Sequence, residues 1–99
     1  MIESILRHTL EASEKGITDK AVESRVARAR KAERILRRDL DEVVSTDERM
    51  YSALVELRTN PSEHNGAMQN AVRWYYKAKN GKDFPRIADY ELIRQHPFL

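Results

Sequence analysis

Three histidines (His8, His64 and His96) and the carboxylates Asp39, Asp41 and Glu42 are the side chains whose types suit acid–base or metal chemistry. A helical metal site needs ligands three or four residues apart, or in paired clusters. The histidines instead fall in separate predicted elements, with no second ligand at such spacing, and read as structural or solvated groups. The Asp39-Leu40-Asp41 pair lies between the end of a cationic helix and the start of a capped one. Carboxylates placed there offset nearby arginines rather than hold a metal. No phosphate-cradling glycine loop, nucleophile elbow or nucleophile beside a base is found, and the chain has no cysteine. The expectation is therefore a binding protein, not an enzyme, with no catalytic residue, metal or cofactor.

The cations carry more information. The formal charge is only +2, too small to argue for nucleic acid, but its distribution is uneven. Between Asp19 and Arg38, Lys20, Arg25, Arg28, Arg30, Lys31, Arg34, Arg37 and Arg38 face only Asp19, Glu23 and Glu33. At 100° per residue Arg30, Lys31, Arg34, Arg37 and Arg38 spread over the side opposite the apolar stripe, towards solvent or phosphate. Arg25 falls inside the stripe and needs a partner, expected among Asp39, Asp41 and Glu42 after the chain reverses. A second basic cluster, Arg73, Lys77, Lys79, Lys82 and Arg86, lies on and after a later helix. Two basic helices in one small domain suit a duplex. The expected nucleic-acid contacts are Arg28, Arg30, Lys31, Arg34, Arg37, Arg38, Arg73, Lys77, Lys82 and Arg86, against the plainer reading of an ordinary solvated face. Trp74, Tyr75 and Tyr76 interleave with the second cluster in a pattern able to stack bases. Tyr75 nevertheless fits the apolar stripe, and Trp74 is expected to pack beneath the C-terminal segment, against Phe84 or Ile87.

These residues must be positioned by helices. With 40% hydrophobic residues at helical spacing, the 99-residue chain suits one folded domain despite 34% charged residues. A first helix is predicted from about Ser4 to Glu14, ended by Gly16. Thr18 or Asp19 caps a second, whose stripe is Val22, Val26, Ala29, Ala32 and Leu36. Ser45 and Glu48 form a capping box for a third, with Met50, Tyr51, Leu54, Val55 and Leu57 apolar and Asn60-Pro61-Ser62 as its stop. A fourth runs from Ala67 to Lys79, with Met68, Ala71, Val72, Tyr75 and Ala78 inward and Asn80-Gly81 closing it. The fold class is all-α: a four-helix core over 1–82 and an irregular C-terminal strap over 83–99, in which Asp89 caps one short turn.

The order of these features resembles the core-binding, SAM-like domain that precedes the catalytic domain in tyrosine recombinases and phage integrases. The resemblance covers about Thr18 to Tyr90 and rests on Ser24-Arg25 in a basic helix, the Asp39-Leu40-Asp41 turn, and Ala71-Val72-Arg73-Trp74-Tyr75-Tyr76 followed by Asn80-Gly81-Lys82. It implies a four-helix bundle that clamps one side of DNA through backbone contacts from the cations of the second and fourth helices. It carries over no chemistry: the catalytic domain has no counterpart here, so Tyr75, Tyr76 and Tyr90 are not read as cleaving nucleophiles. The alternative is a protein-interaction or self-association module, a homodimer included, using Phe84, Ile87, Tyr90, Ile93 and Phe98 of the strap. Met1 to Leu10 lacks a signal peptide's apolar core, and no run approaches the roughly 18 apolar residues of a membrane span. The expected location is the cytoplasm, with no membrane partner.

Overall fold

A computed structural model describes residues 1–96 and is all-helical over them, with no strand. The helices are α1 (Glu3–Ser13), α2 (Asp19–Leu36), α3 (Leu40–Val43), α4 (Asp47–Arg58), α5 (Ala67–Asn80) and α6 (Ile87–Gln95). The long ones, α1, α2, α4 and α5, form the expected bundle. Gly16, at φ 76°, turns the chain between α1 and α2, a left-handed conformation that glycine adopts without steric cost. Thr18 Oγ1 then accepts from the amide of Ala21 at 3.1 Å and starts α2.

The core is built around α2 and α5. Val22, Val26, Ala29, Ala32 and Leu36 are all buried, so the sequence stripe of α2 is its inner face. Ala29 and Ala32 of α2 and Ala71 of α5 are buried, and these two helices pack on one another; short side chains at a crossing let two helices approach closely. From α1, Leu6 and Leu10 are fully buried against α5 and α2. From α4, Met50, Ala53, Leu54 and Leu57 close the other side.

Three local features depart from or go beyond the sequence expectations. α4 is capped by Thr46, whose Oγ1 accepts from the amide of Arg49 at 3.1 Å. Ser45 instead donates to the carbonyl of Glu42 at 2.6 Å and finishes α3, and its amide also goes to that carbonyl, so the expected Ser45–Glu48 capping box does not form. α2 ends on Arg37 in the left-handed region, at φ 55° and ψ 39°.

The third change concerns the strap, which is not irregular: α6 occupies most of it. An aromatic chain holds it down, with Tyr51 and Tyr90 centroids 5.2 Å apart, Tyr90 and Phe84 5.1 Å, and Phe84 edge-on to Tyr76 at 5.2 Å. Phe84 and Tyr90 thus belong to the core, and Ile87 packs against it. Burying these rings against α4 and α5 supplies a reason for the last helix to form that no local signal carries. Arg94 adds an ion pair to Glu48 at 2.9 Å and lies over the Tyr51 ring. Of the strap residues assigned to an interface, Ile93 is exposed and Phe98 lies outside the described residues.

Candidate nucleic-acid interface

The cations of α2 go to three different places. Arg30 turns to α1, where its guanidinium forms a two-pronged pair with Glu3. Arg7 joins Glu3 at 3.3 Å and Glu23 at 2.7 Å, so the α1–α2 seam is an ion network. The hydrogen bond from Arg30, helped by the positive charges of Arg30 and Arg7, holds the Glu3 carboxyl below its ordinary range despite burial. Arg25 also faces α1: its Nη1 lies 2.8 Å from Glu14 Oε2, although that contact lacks hydrogen-bond direction. Its partner is therefore not Asp39, Asp41 or Glu42.

Those acids are occupied elsewhere. Asp39 caps α3 by accepting from the amide of Asp41 at 2.8 Å. The Met1 ammonium sits 2.7 Å from Asp39, 3.0 Å from Glu33 and 3.8 Å from Asp41. Burial works hardest against this charge, but the hydrogen bonds and negative charges of Asp39 and Glu33 outweigh it, leaving the amine's pKa raised. The Ile2 amide donates to Tyr75 Oη at 2.8 Å, and Tyr75 donates to Asp41, which also pairs with Lys79 at 3.5 Å. Burial, then the hydrogen bond to Asp41, pushes the Tyr75 hydroxyl pKa upward. Sequence reasoning missed this knot because it joins the first two residues to three later elements.

With the acids so engaged, Arg28, Lys31, Arg34, Arg37 and Arg38 make no ion pair among the described residues. Arg28, Arg34, Arg37 and Arg38 are exposed and Lys31 is partly so. Arg34, Arg37 and Arg38 gather at the C-terminal end of α2 around a shallow recess that Glu33 and Asp39 also line. Cations there are further favoured by the negative end of the helix dipole.

Arg28 and Lys31 instead meet Arg73 of α5 across an open cleft of about 790 Å³. Its floor is the turn into α5, where Asn65 and Gly66 are both left-handed, at φ 54° and 73°. Glu63 is the one carboxylate along it. Glu63 accepts from the amides of His64, Met68 and Gln69 at 3.1, 2.9 and 3.0 Å, and from the Gln69 side chain at 3.3 Å. It thus caps α5, and the cleft sets three cations against this one carboxylate. Arg73 Nη1 donates to the carbonyls of Phe84 and Pro85 at 2.9 and 3.1 Å, and burial alone lowers the pKa of this guanidinium. Its charge is part-desolvated and has no acidic partner.

The rest of the second cluster is dispersed. Lys77 pairs with Asp83 at 3.6 Å and sits 5.2 Å from the Trp74 ring centroid. Arg86 pairs with Asp89 at 2.9 Å at the start of α6, while Lys82 is exposed without an acidic partner among the described residues. Trp74 is partly buried against the core and shares a smaller cavity, about 230 Å³, with Phe84, Asn70, Arg73, Lys77 and Asp83. Among the described residues no group of three or more potential ligands could hold a metal ion, and no helix is long and apolar enough to cross a membrane. No protein-family model, curated protein or solved structure matches the chain.

Proposed function

We propose that the chain is a non-enzymatic nucleic-acid-binding module of the cytoplasm, contacting DNA mainly through phosphates, in the manner of a recombinase core-binding domain. The observation that carries this reading is the outer side of α2. Arg28, Lys31, Arg34, Arg37 and Arg38 have no acidic partners among the described residues, although the chain holds nearly as many acids as bases; Glu3 and Glu23 are engaged at the α1 seam and Glu33, Asp39 and Asp41 at the Met1 knot. Such a face attracts polyanions by releasing their counterions. If about five of these side chains touch duplex phosphates, log affinity falls with log salt at a slope of roughly −4 to −5, with little dependence on sequence. Filter retention of a labelled duplex across a salt series measures this, and no retention at low salt refutes it.

A second reading, a protein-interaction or self-association module, is favoured by α6, where Leu92 and Ile93 are 58% and 57% exposed on adjacent positions. Light scattering that finds only monomer across micromolar concentrations removes its homodimer form.

A further inference from the structure

We infer that the groove along α5 receives one unpaired nucleotide of a nucleic-acid strand, its phosphate between Arg28, Lys31 and Arg73 and its base against the open side of Trp74. The inference rests on the nucleic-acid reading above and names what this part of the surface grips. The two cavities are neighbours, because Asn70 and Arg73 line both. The larger is lined by three cations from two helices against one carboxylate, Glu63, which is turned to the amides of Met68 and Gln69 at the start of α5, so net positive charge is left for an incoming anion. Arg73 strengthens the demand: its part-buried guanidinium is held by two neutral carbonyls and lies over the Phe84 ring, with no carboxylate paired to it among the described residues.

The smaller cavity has the opposite character. It offers an indole ring with the Lys77 ammonium 5.2 Å from its centroid, and Phe84 also lines it. Lys77 is held there only by the ring and a 3.6 Å pair to the exposed Asp83, so a planar ligand displaces it readily. Between the two, the exposed side chain of Asn70 presents both a donor and an acceptor, the combination that reads a base edge. A cationic pocket, an amide and an aromatic ring in that order match phosphate, then sugar and base edge, then base plane. A base within a duplex is stacked on its neighbours and cannot enter a concave site, so the ligand is single-stranded or extruded.

Trp74 is the only tryptophan in the chain, so its fluorescence reports the groove directly. The full chain is titrated at low salt with a labelled single-stranded oligodeoxynucleotide and, separately, with its duplex, following label anisotropy and Trp74 emission together. The expected result is quenching by the single strand, weaker or no quenching by the duplex, and competition by inorganic phosphate without quenching. Lys31→Glu lowers single-strand affinity at least about ten-fold and Asn70→Ala lowers it several-fold, while both variants keep the wild-type melting temperature. Removing the ring with Trp74→Leu weakens single-strand binding by about five- to a hundred-fold, the range for a lost base stack. Single strand bound with unchanged Trp74 emission, or bound equally by Asn70→Ala and Lys31→Glu, overturns the groove while leaving duplex binding through α2 intact. Failure of both strands to bind overturns both.

Discussion

Arg37 ends α2 with its backbone in the left-handed region and its side chain exposed and without an acidic partner among the described residues. An L-residue held there gives up roughly 1–2 kcal/mol. In Arg37→Gly that penalty disappears, and the greater freedom of glycine in the unfolded chain returns about 0.5–1 kcal/mol. Relative to Arg37→Ala, which loses the same charge at the helix end, the net effect is stabilisation by about 0.5–1 kcal/mol, or roughly 3–6 °C in melting midpoint for a chain of this length. Arg37→Ala provides the control, because it deletes the same charge, and the same interaction with the helix dipole, while keeping a Cβ in the strained conformation. The gap between the two variants therefore isolates the backbone. Thermal unfolding by circular dichroism measures it, and the salt dependence of duplex retention is followed in parallel. Both variants should lose the same phosphate contact, making the salt slope shallower by about 0.9, so Arg37→Gly is more stable than Arg37→Ala while the two bind equally less well than wild type. Equal melting of Gly and Ala variants would refute the assignment of strain to this cap.

Other outcomes follow from the pairings around it. Arg30→Ala opens the seam to α1 and lowers the melting midpoint by a few degrees without changing the salt slope. Arg34→Glu, at the helix end, instead weakens duplex retention and lowers stability only by its dipole interaction, about 0.3–1 kcal/mol. Arg25→Ala costs only about 1 kcal/mol, because its partner Glu14 stays partly exposed to water, as urea unfolding will show. Stability against pH should have two alkaline steps. The Met1 amine has a raised folded pKa, so its contribution is complete below about pH 8 and fades as pH climbs through the raised value. Tyr75 and Tyr76, the latter pushed up to about 12 first by burial and then by its hydrogen bond to Asp47, contribute below about pH 10 and lose that contribution above it. Acetylating the amine should erase the first step in a pH series of urea midpoints and spare the second.

The sequence made α2 legible because Val22, Val26, Ala29, Ala32 and Leu36 keep a three- and four-residue rhythm and every one of them is buried. It concealed α6 because the rhythm there is broken: Tyr90 is buried while Leu92 and Ile93 face water, and no side chain caps its start. What forms that helix is the meeting of Tyr90 with Tyr51 and Phe84, a tertiary event. The same distinction governs the candidate site. Angular position separates Arg25 from the other cations, but only the arrival of Glu3 separates Arg30 from Arg34. The cleft was hidden for a related reason. Asn65-Gly66 marks a turn, and Arg28, Lys31 and Arg73 stand out as cations, yet nothing in their spacing says that the turn lies beneath all three.

The way α6 is attached gives the domain an uneven resistance to opening. α6 packs chiefly on α4, and its anchors are an aromatic chain, the Arg94–Glu48 pair and the Tyr51–Glu91 hydrogen bond, while α2 and α5 are enclosed on several sides. A segment so placed detaches alone at a free energy below that of global unfolding. Its backbone amides then exchange with deuterium ahead of those of α2 and α5, and a protease meets the Gly81-Lys82-Asp83 stretch before the bundle yields. Each such excursion bares Phe84 and takes away the carbonyls that hold Arg73, so the wall shared by the two cavities loosens whenever the last helix lifts.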